Sequence, residues 1–378
     1  MRVIVSVIND LTTDQRVHKV CTTLHSMGYK VTLIGRLQRK SLKLDPRRYY
    51  THRMSLWFET GPLFYATFQF RLFCFLLFHK TDLLVANDLD TLLPNYLISL
   101  LKRIPLVYDT HELFCEVPEL QANPGKKKIW KRVERWIFPK LKRVFTVNDS
   151  IAKIYAEEYK VPIKVVRNMP RAAFSAFELP PATRVEYDLP LDKKIVLLQG
   201  AGINIDRGAE EAVLAMKYLE DVLLLIIGDG DVIPLLKEMS GKPGLTGKIR
   251  FIPKLPFAEL KRCTQLADLG LTLDKDTNIN YRYSLPNKLF DYILAGVPVI
   301  ASNLVEVRNI VDQYQIGCII PDHDPKTLAR VISTSLENTG QLKIWKENTK
   351  LAAGNCCWEN EEKVLIGVYE PFLKKKSF

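Results

Sequence analysis

The sequence predicts an α/β protein built from two doubly wound parallel sheets in succession. Three observations carry that expectation. Short apolar runs alternate with helical stretches along the first half, the pattern of strands joined by crossover helices. The alternation lapses over Arg171–Pro190, a stretch rich in Ala, Pro and polar residues, and then resumes. The length, 378 residues, suits two domains better than one.

In the first half, strands are expected at Val3–Ile8, Lys30–Ile34, Leu83–Ala86, Leu106–Tyr108, Val144–Val147 and Lys164–Val166. A helix is expected around Asp14–Met27, ended by Gly28 in the left-handed position such an end requires. The stretch Gly61–Phe78 is apolar nearly all round, with Arg71 its only charge. It falls short of the ~20 uninterrupted apolar residues of a spanning helix. It reads either as a buried helix of the first sheet or as one that dips a face into a bilayer interface. In the second half, strands are expected at Lys194–Gln199, Val222–Ile227, Ile249–Ile252, Leu269–Leu273, Pro298–Ala301 and Cys318–Ile320. Helices fall between them near Gly208–Leu219, Val232–Glu238, Pro256–Ala267, Asn287–Ala295, Val305–Val311 and Pro325–Thr339, and a last one covers Trp358–Leu373. Ligands of open α/β sheets bind beyond the carboxyl ends of the strands.

Composition excludes several classes. With 47% hydrophobic and 25% charged residues the chain is an ordinary globular one. Its opening, Met1–Ile8, has one basic residue and a short apolar run, and reads as a first strand, not a signal peptide. Seven cysteines are scattered, and the adjacent pair Cys356-Cys357 has no zinc-ligand or redox-motif spacing. A reduced cytoplasmic protein without structural disulfides or a metal centre is the expectation. The net charge of +12 is uneven. Residues 1–180 hold 29 Lys+Arg against 16 Asp+Glu, and residues 181–378 hold 25 against 26. That asymmetry reads either as a solvated basic surface or as attraction to an anionic partner, a membrane face foremost. The cluster Lys126, Lys127, Lys128, Lys131, Arg132 and Arg135, with Trp130 and Trp136 among it, carries the same two readings.

Three features of the second half bear on chemistry. Gly200-Ala-Gly-Ile-Asn-Ile-Asp-Arg-Gly208 lies between a strand and a helix, with Gly200, Gly202 and Gly208 allowing close backbone approach and Arg207 suited to phosphate oxygens. Gly228-Asp229-Gly230 ends the next strand, and a tight turn explains it equally well. Tyr283-Ser-Leu-Pro-Asn-Lys-Leu-Phe-Asp-Tyr-Ile-Leu-Ala-Gly-Val-Pro-Val-Ile300 reads as a helix capped by Asn287 and stopped by Gly296. Lys288 sits in its first turn, where the helix dipole also favours an anion, and Asp291 follows on the same face. Asp274 and Asp276 share a metal-pair spacing but read as residues of a cleft rim.

That third stretch resembles the signature of the retaining family 4 glycosyltransferases, in the branch reading Ser-x-Pro-Asn-Lys-x-Phe-(Asp/Glu)-Tyr before Ala-Gly-x-Pro-Val. The Arg207-Gly208 and Gly-Asp-Gly turns, and Val165-Val-Arg-Asn-Met-Pro170, fall where that family places them. The resemblance implies the GT-B fold, two Rossmann-like domains facing a cleft. Residues 1–172 are then the acceptor-binding domain, 173–190 the linker, 191–355 the nucleotide-sugar domain, and 356–378 a helix crossing back. It implies transfer, with retention, from a UDP- or GDP-sugar to a saccharide or lipid-linked acceptor, as in cell-surface polysaccharide synthesis. The nucleotide sugar is a co-substrate, and no separate cofactor, metal or nucleic acid is expected. The enzyme is expected in the cytoplasm, or peripherally on the inner face of the membrane.

The same resemblance assigns Arg207, Lys288 and His111 to catalysis. Gly200, Gly202, Gly208, Gly228, Asp229, Gly230, Ser284, Asn287 and Asp291 are assigned to the donor nucleotide. Two departures stand out: Asp291 replaces the family's second glutamate and Tyr283 the first, while Gly202 stands where an arginine is usual. In the first half Asn9-Asp-Leu-Thr-Thr-Asp-Gln-Arg16 opens a helix, and Asp10, Asp14, Arg16, Asp88 and Glu112 are expected on the acceptor side, with Asp14 and Arg16 equally able to cap and pair locally. Tyr108-Asp-Thr-His-Glu112 resembles the family's Asp-x-His loop. Two rival readings remain: a UDP-sugar epimerase of the same fold, which needs no acceptor, and a non-catalytic nucleotide-sugar-binding protein, which Tyr283 keeps open. A dinucleotide fingerprint G-x-G-x-x-G is absent from the sequence.

Overall fold

The computed structural model describes residues 1–12, 14–171, 180 and 182–374. Thr13, residues 172–179 and 181 of the expected linker region, and the last four residues of the expected closing helix lie outside them.

Two compact units divide the chain, Met1–Asn168 joined by the segment from Glu361 onward, and Met169–Asn360. The first holds a seven-stranded sheet: β1 (Arg2–Asp10), β2 (Lys30–Leu37), β3 (Tyr50–Ser55), β4 (Leu83–Asn87), β5 (Leu106–Thr110), β6 (Val144–Thr146) and β7 (Ile163–Val165). Its order is β3-β2-β1-β4-β5-β6-β7, and every pairing is parallel. The second unit holds six strands: β8 (Lys194–Gly200), β9 (Val222–Gly228), β10 (Ile249–Ile252), β11 (Leu269–Thr272), β12 (Val299–Ala301) and β13 (Gly317–Ile319). They run β10-β9-β8-β11-β12-β13, again all parallel. Strands such as Val222–Gly228 read as unbroken apolar runs because both faces of a parallel sheet are covered by helices. In each sheet the strand order reverses beside the first strand, between β1 and β4 and between β8 and β11, and such switch points open a crevice at the carboxyl ends.

Two elements escaped the sequence reading. β3 is an edge strand in which only Met54 is buried, so it has no apolar run. The helix Thr339–Asn355 is largely polar and buries Leu342, Thr349 and Ala352. Asn338 separates it from the helix Pro325–Glu337 by accepting a bond from the Gln341 amide. Gly28 and Gly296 do end their helices, at φ +92° and +75°.

The closing helix, Trp358–Lys374, packs into the first unit from Glu361 on. Glu361 accepts from the Arg167 amide (2.7 Å), Thr23 bonds Glu362, and the Tyr29 hydroxyl donates to the Tyr369 carbonyl (2.7 Å). The helix Gly61–Phe78 buries one stripe, Phe64, Phe68, Leu72 and Leu76, at four-residue spacing. Only 22% of it is buried, and among the described residues it alone has the length and apolarity to cross a membrane.

Candidate active site

The second sheet's switch point gathers the residues the sequence singled out. Gly200–Gly208 leaves β8, and the chain leaving β11 enters Leu273 and Asp274. The two loops are tied by a bond from the Lys275 amide to the Asp206 carbonyl, 2.8 Å. Asp274 is fully buried, and both its oxygens are taken: Arg207 reaches one at 2.8 Å and Lys288 the other at 3.2 Å. The Arg207 guanidinium also lies over the Tyr281 ring, 4.4 Å from its centre. Burial works against ionisation of Asp274, but Lys288 and Arg207 hold its pKa below the usual carboxylate range. Two cations on one carboxylate leave a formal positive charge over, and it is held rigidly. Asp274 is therefore no rim residue. It fixes both cations in place.

The glycines prove to serve packing as much as any ligand. A side chain at Gly208 would strike Leu273, and at Gly228 and Gly230 it would strike the backbone of Gly200 and Ile203. The Gly228–Gly230 turn instead lies against the Gly200 loop, joined by Ile203 N to Asp229 O (2.9 Å) and Asp229 N to Gly200 O (3.2 Å). The Asp229 carboxylate accepts from the Gly230 amide. Gly200 and Gly202 face no atom closer than 3.6 Å, so packing does not demand them. The helix after Gly208, Ala209–Ala215, carries Glu210 and Glu211 in its first turn, with Glu211 paired to Lys275 at 2.6 Å. Those carboxylates already occupy the positive end of that helix's dipole. The helix Asn287–Ala295 has no acid in its first turn, and its cap is Pro286, so Asn287 is the first helical residue and not the cap. Asp291 lies 3.4 Å from the Gln199 side-chain amide, and the Ser284 hydroxyl donates to the Tyr281 carbonyl at 2.9 Å. Tyr283 closes the short helix Ile279–Arg282.

The first sheet builds a different cluster at the ends of β4 and β5. Asp88 adopts φ +59°, ψ 169°, which few side-chain-bearing residues occupy, and it accepts from the His111 amide (2.8 Å) and ring Nδ1 (3.0 Å). The His111 Nε2 stands 3.6 Å from Asp109. Burial opposes a charged His111, but Asp88 and Asp109 raise its pKa well above the ordinary value, so it is an imidazolium at neutral pH. Arg16 bonds Asp109 twice, at 2.7 and 3.2 Å, and the Val166 carbonyl at 2.7 Å. Burial works against the Asp109 charge, but Arg16 and His111 hold its pKa far below the usual range. Arg16, only 4% exposed, is thus spent inside the unit, which corrects its expected place toward an acceptor. Asp14 caps its helix through the Val17 amide. Asp10 holds Arg53 (3.0 Å), the Thr12 amide and the Ser41 hydroxyl. Glu112 is half-buried, and its carbonyl accepts from Thr110 and Tyr155. Among the described residues no group of three or more His, Cys, Asp or Glu is placed to hold a metal ion.

Sequence reasoning gave Asp109 no role of its own, though it is the acid of the Asp-x-His loop, passed over Tyr281 and misplaced Asp274.

With this geometry in view, the comparisons with known proteins fall into place. Residues 14–169 match the model of Glycosyltransferase Family 4, and residues 182–352 match that of Glycosyl transferases group 1. Each half of the chain thus matches a glycosyltransferase model, the first half that of family 4. Among curated relatives, a D-inositol 3-phosphate glycosyltransferase of Xylanimonas cellulosilytica is 22% identical over 52% of this chain and 46% of its own. A chitobiosyldiphosphodolichol beta-mannosyltransferase of Candida albicans is 22% identical over 70% of this chain and 62% of its own. The match thus spans less than two-thirds of either relative. Among solved structures, the sucrose-phosphate synthase of Thermosynechococcus elongatus superposes with a TM-score of 0.78 at 16% identity, covering 99% of this chain and 100% of that one. The Anabaena protein Alr3699/HepE in complex with UDP-glucose gives 0.75 at 14%, covering 98% and 100%. The chain therefore has the GT-B fold.

Proposed function

We propose that this protein transfers a sugar from a UDP- or GDP-sugar, with retention, to a saccharide or lipid-linked acceptor, in building cell-surface polysaccharide. The single observation that carries this is the pair Arg207 and Lys288 on one buried Asp274 at the switch point of the second sheet. Breaking the bond from sugar to nucleotide builds negative charge on the leaving diphosphate. Fixed cations stabilise that charge most in the transition state, which is where a rate is gained. The helix starting at Asn287 adds backbone N–H groups beside Lys288. Gly200, Gly202 and Asp291 are assigned to the nucleotide. His111, as an imidazolium, is assigned to donate a hydrogen bond to a sugar or acceptor oxygen, not to take a proton. The HepE complex supports the donor class and the dolichol-linked relative a lipid-linked acceptor. The basic first half supports work at the anionic inner face of a membrane, where each basic residue near the surface adds ~1 kcal/mol.

The test is a thermal-shift panel of nucleotide sugars, followed by turnover with the donor that binds. A binding donor raises the apparent stability by mass action. Release of nucleotide that depends on an acceptor supports transfer. Conversion of the donor to its epimer without any acceptor makes the protein an epimerase, and binding without either makes it a donor-binding protein.

A further inference from the structure

A cavity of about 260 Å³ lies on the outer side of the Gly61–Phe78 helix, against the edge strand β3. It is below the roughly 300 Å³ at which pockets for drug-sized ligands begin. Its lining includes Phe70, Cys74, Phe75 and Phe78, and beside them the basic side chains of Arg71, His52 and His79. Among the described residues no acidic one lines it. Phe75 stacks on His79 with ring centres 3.7 Å apart and meets His52 at 4.7 Å, so the wall is continuous aromatic surface. Burial, with His79 and Arg71 nearby, lowers the His52 pKa, which leaves that ring uncharged at neutral pH.

The surroundings say what fills it. Phe70 and Phe78 are 68% and 80% exposed, on a helix apolar enough to span a membrane yet mostly unburied. Contiguous apolar surface of this kind marks an interaction site. Arg71 lines the same cavity, its guanidinium donates one bond to the Ser55 carbonyl, and the residue is exposed. An occupant with an apolar tail and an anionic head satisfies both parts. We propose that this cavity takes the glycerol-proximal methylenes of one acyl chain of an anionic phospholipid at a bilayer surface, with Arg71 on the lipid phosphate. The inference rests on the reading that the protein works at a membrane, and it names the point of contact.

Cys74 makes the proposal testable, because its free thiol lines the cavity. Alkylation of Cys74 in the full chain by N-ethylmaleimide, followed by mass spectrometry, is expected to slow in vesicles of phosphatidylglycerol and phosphatidylcholine and to be unchanged in phosphatidylcholine alone. Cys74→Trp, which fills the space, is expected to lower vesicle affinity by about ten-fold or more, the contribution of roughly two buried methylenes. Its unshifted stabilisation by nucleotide sugar would report that it folds, and Arg71→Gln gives a second variant if it does not. Wild-type protein that binds the anionic vesicles while Cys74 reacts at its lipid-free rate overturns the cavity and leaves the membrane reading standing. Wild-type protein that binds no vesicle overturns both. Protection that grows with protein concentration in the absence of lipid assigns the cavity to a second copy and overturns the proposal too.

Discussion

The two sheets carry charged clusters at equivalent places, beyond the carboxyl ends of their central strands, yet the clusters are built to opposite ends. In the first unit Arg16, Asp109, His111 and Asp88 alternate in sign and pair with one another, with Arg16 also bonded to a backbone carbonyl and the His111 Nε2 left without a hydrogen bond among the described residues. In the second unit one carboxylate, Asp274, serves two cations. A closed array contributes shape and rigidity. The same fold position therefore holds two cations against two carboxylates in one unit and two cations against one carboxylate in the other.

The comparison breaks most readily at Asp109. Asp109→Ala leaves the Arg16 guanidinium buried without its partner and is expected to cost about 3–5 kcal/mol, read by denaturant unfolding. A loss under 1 kcal/mol would mean that the first array is not closed. Lys288→Ala and Arg207→Ala should leave the fold intact and reduce transfer by about 10²–10³, the scale for losing one preorganised charge-stabilising donor. Steady-state kinetics on the identified donor checks this, and unchanged kcat discards their role. Asp274→Asn keeps the shape and removes the anchor. It is expected to lower kcat by about ten-fold with a smaller change in KM, as for positioning groups that loosen a site; an equal effect on donor binding alone would place Asp274 in ground-state recognition.

The smallest effect is in pH dependence, and it sharpens the contrast. The raised His111 pKa adds stability that is fully present below its unfolded value near 6.5 and is lost as pH rises through the folded value. The depressed Asp109 and Asp274 add stability present above the unfolded carboxylate value and lost as pH falls through their folded ones. The first array is thus weakened from both sides and the second from the acid side only. Thermal midpoints of wild type and His111→Gln between pH 5 and 10 should differ in the alkaline limb. Parallel curves there would remove the imidazolium.

Local rules made much of this legible. Apolar runs placed twelve of the thirteen strands, and Gly28 and Gly296 ended helices as left-handed backbone requires. β3 was invisible because an edge strand needs no apolar alternation. The helix Thr339–Asn355 was invisible because its buried face is narrow. Arg207 and Lys288 were readable as phosphate-type cations from their loops. Their common anchor was not, because Asp274 precedes Lys288 by fourteen residues and follows Arg207 by sixty-seven, and no local period links them.

By itself, then, the sequence determined the order of strands and helices, the interruption between two series, the lopsided charge and the identity of the cations. Tertiary structure alone decided which acid each cation meets, that Arg16 is buried while Arg207 keeps 29% of its side chain exposed, and that glycines 208, 228 and 230 answer to neighbouring backbone. The physical reason is that periodicity and turn chemistry act over a few residues. Burial and charge pairing act through space, and only the folded sheets bring such distant positions within bonding distance.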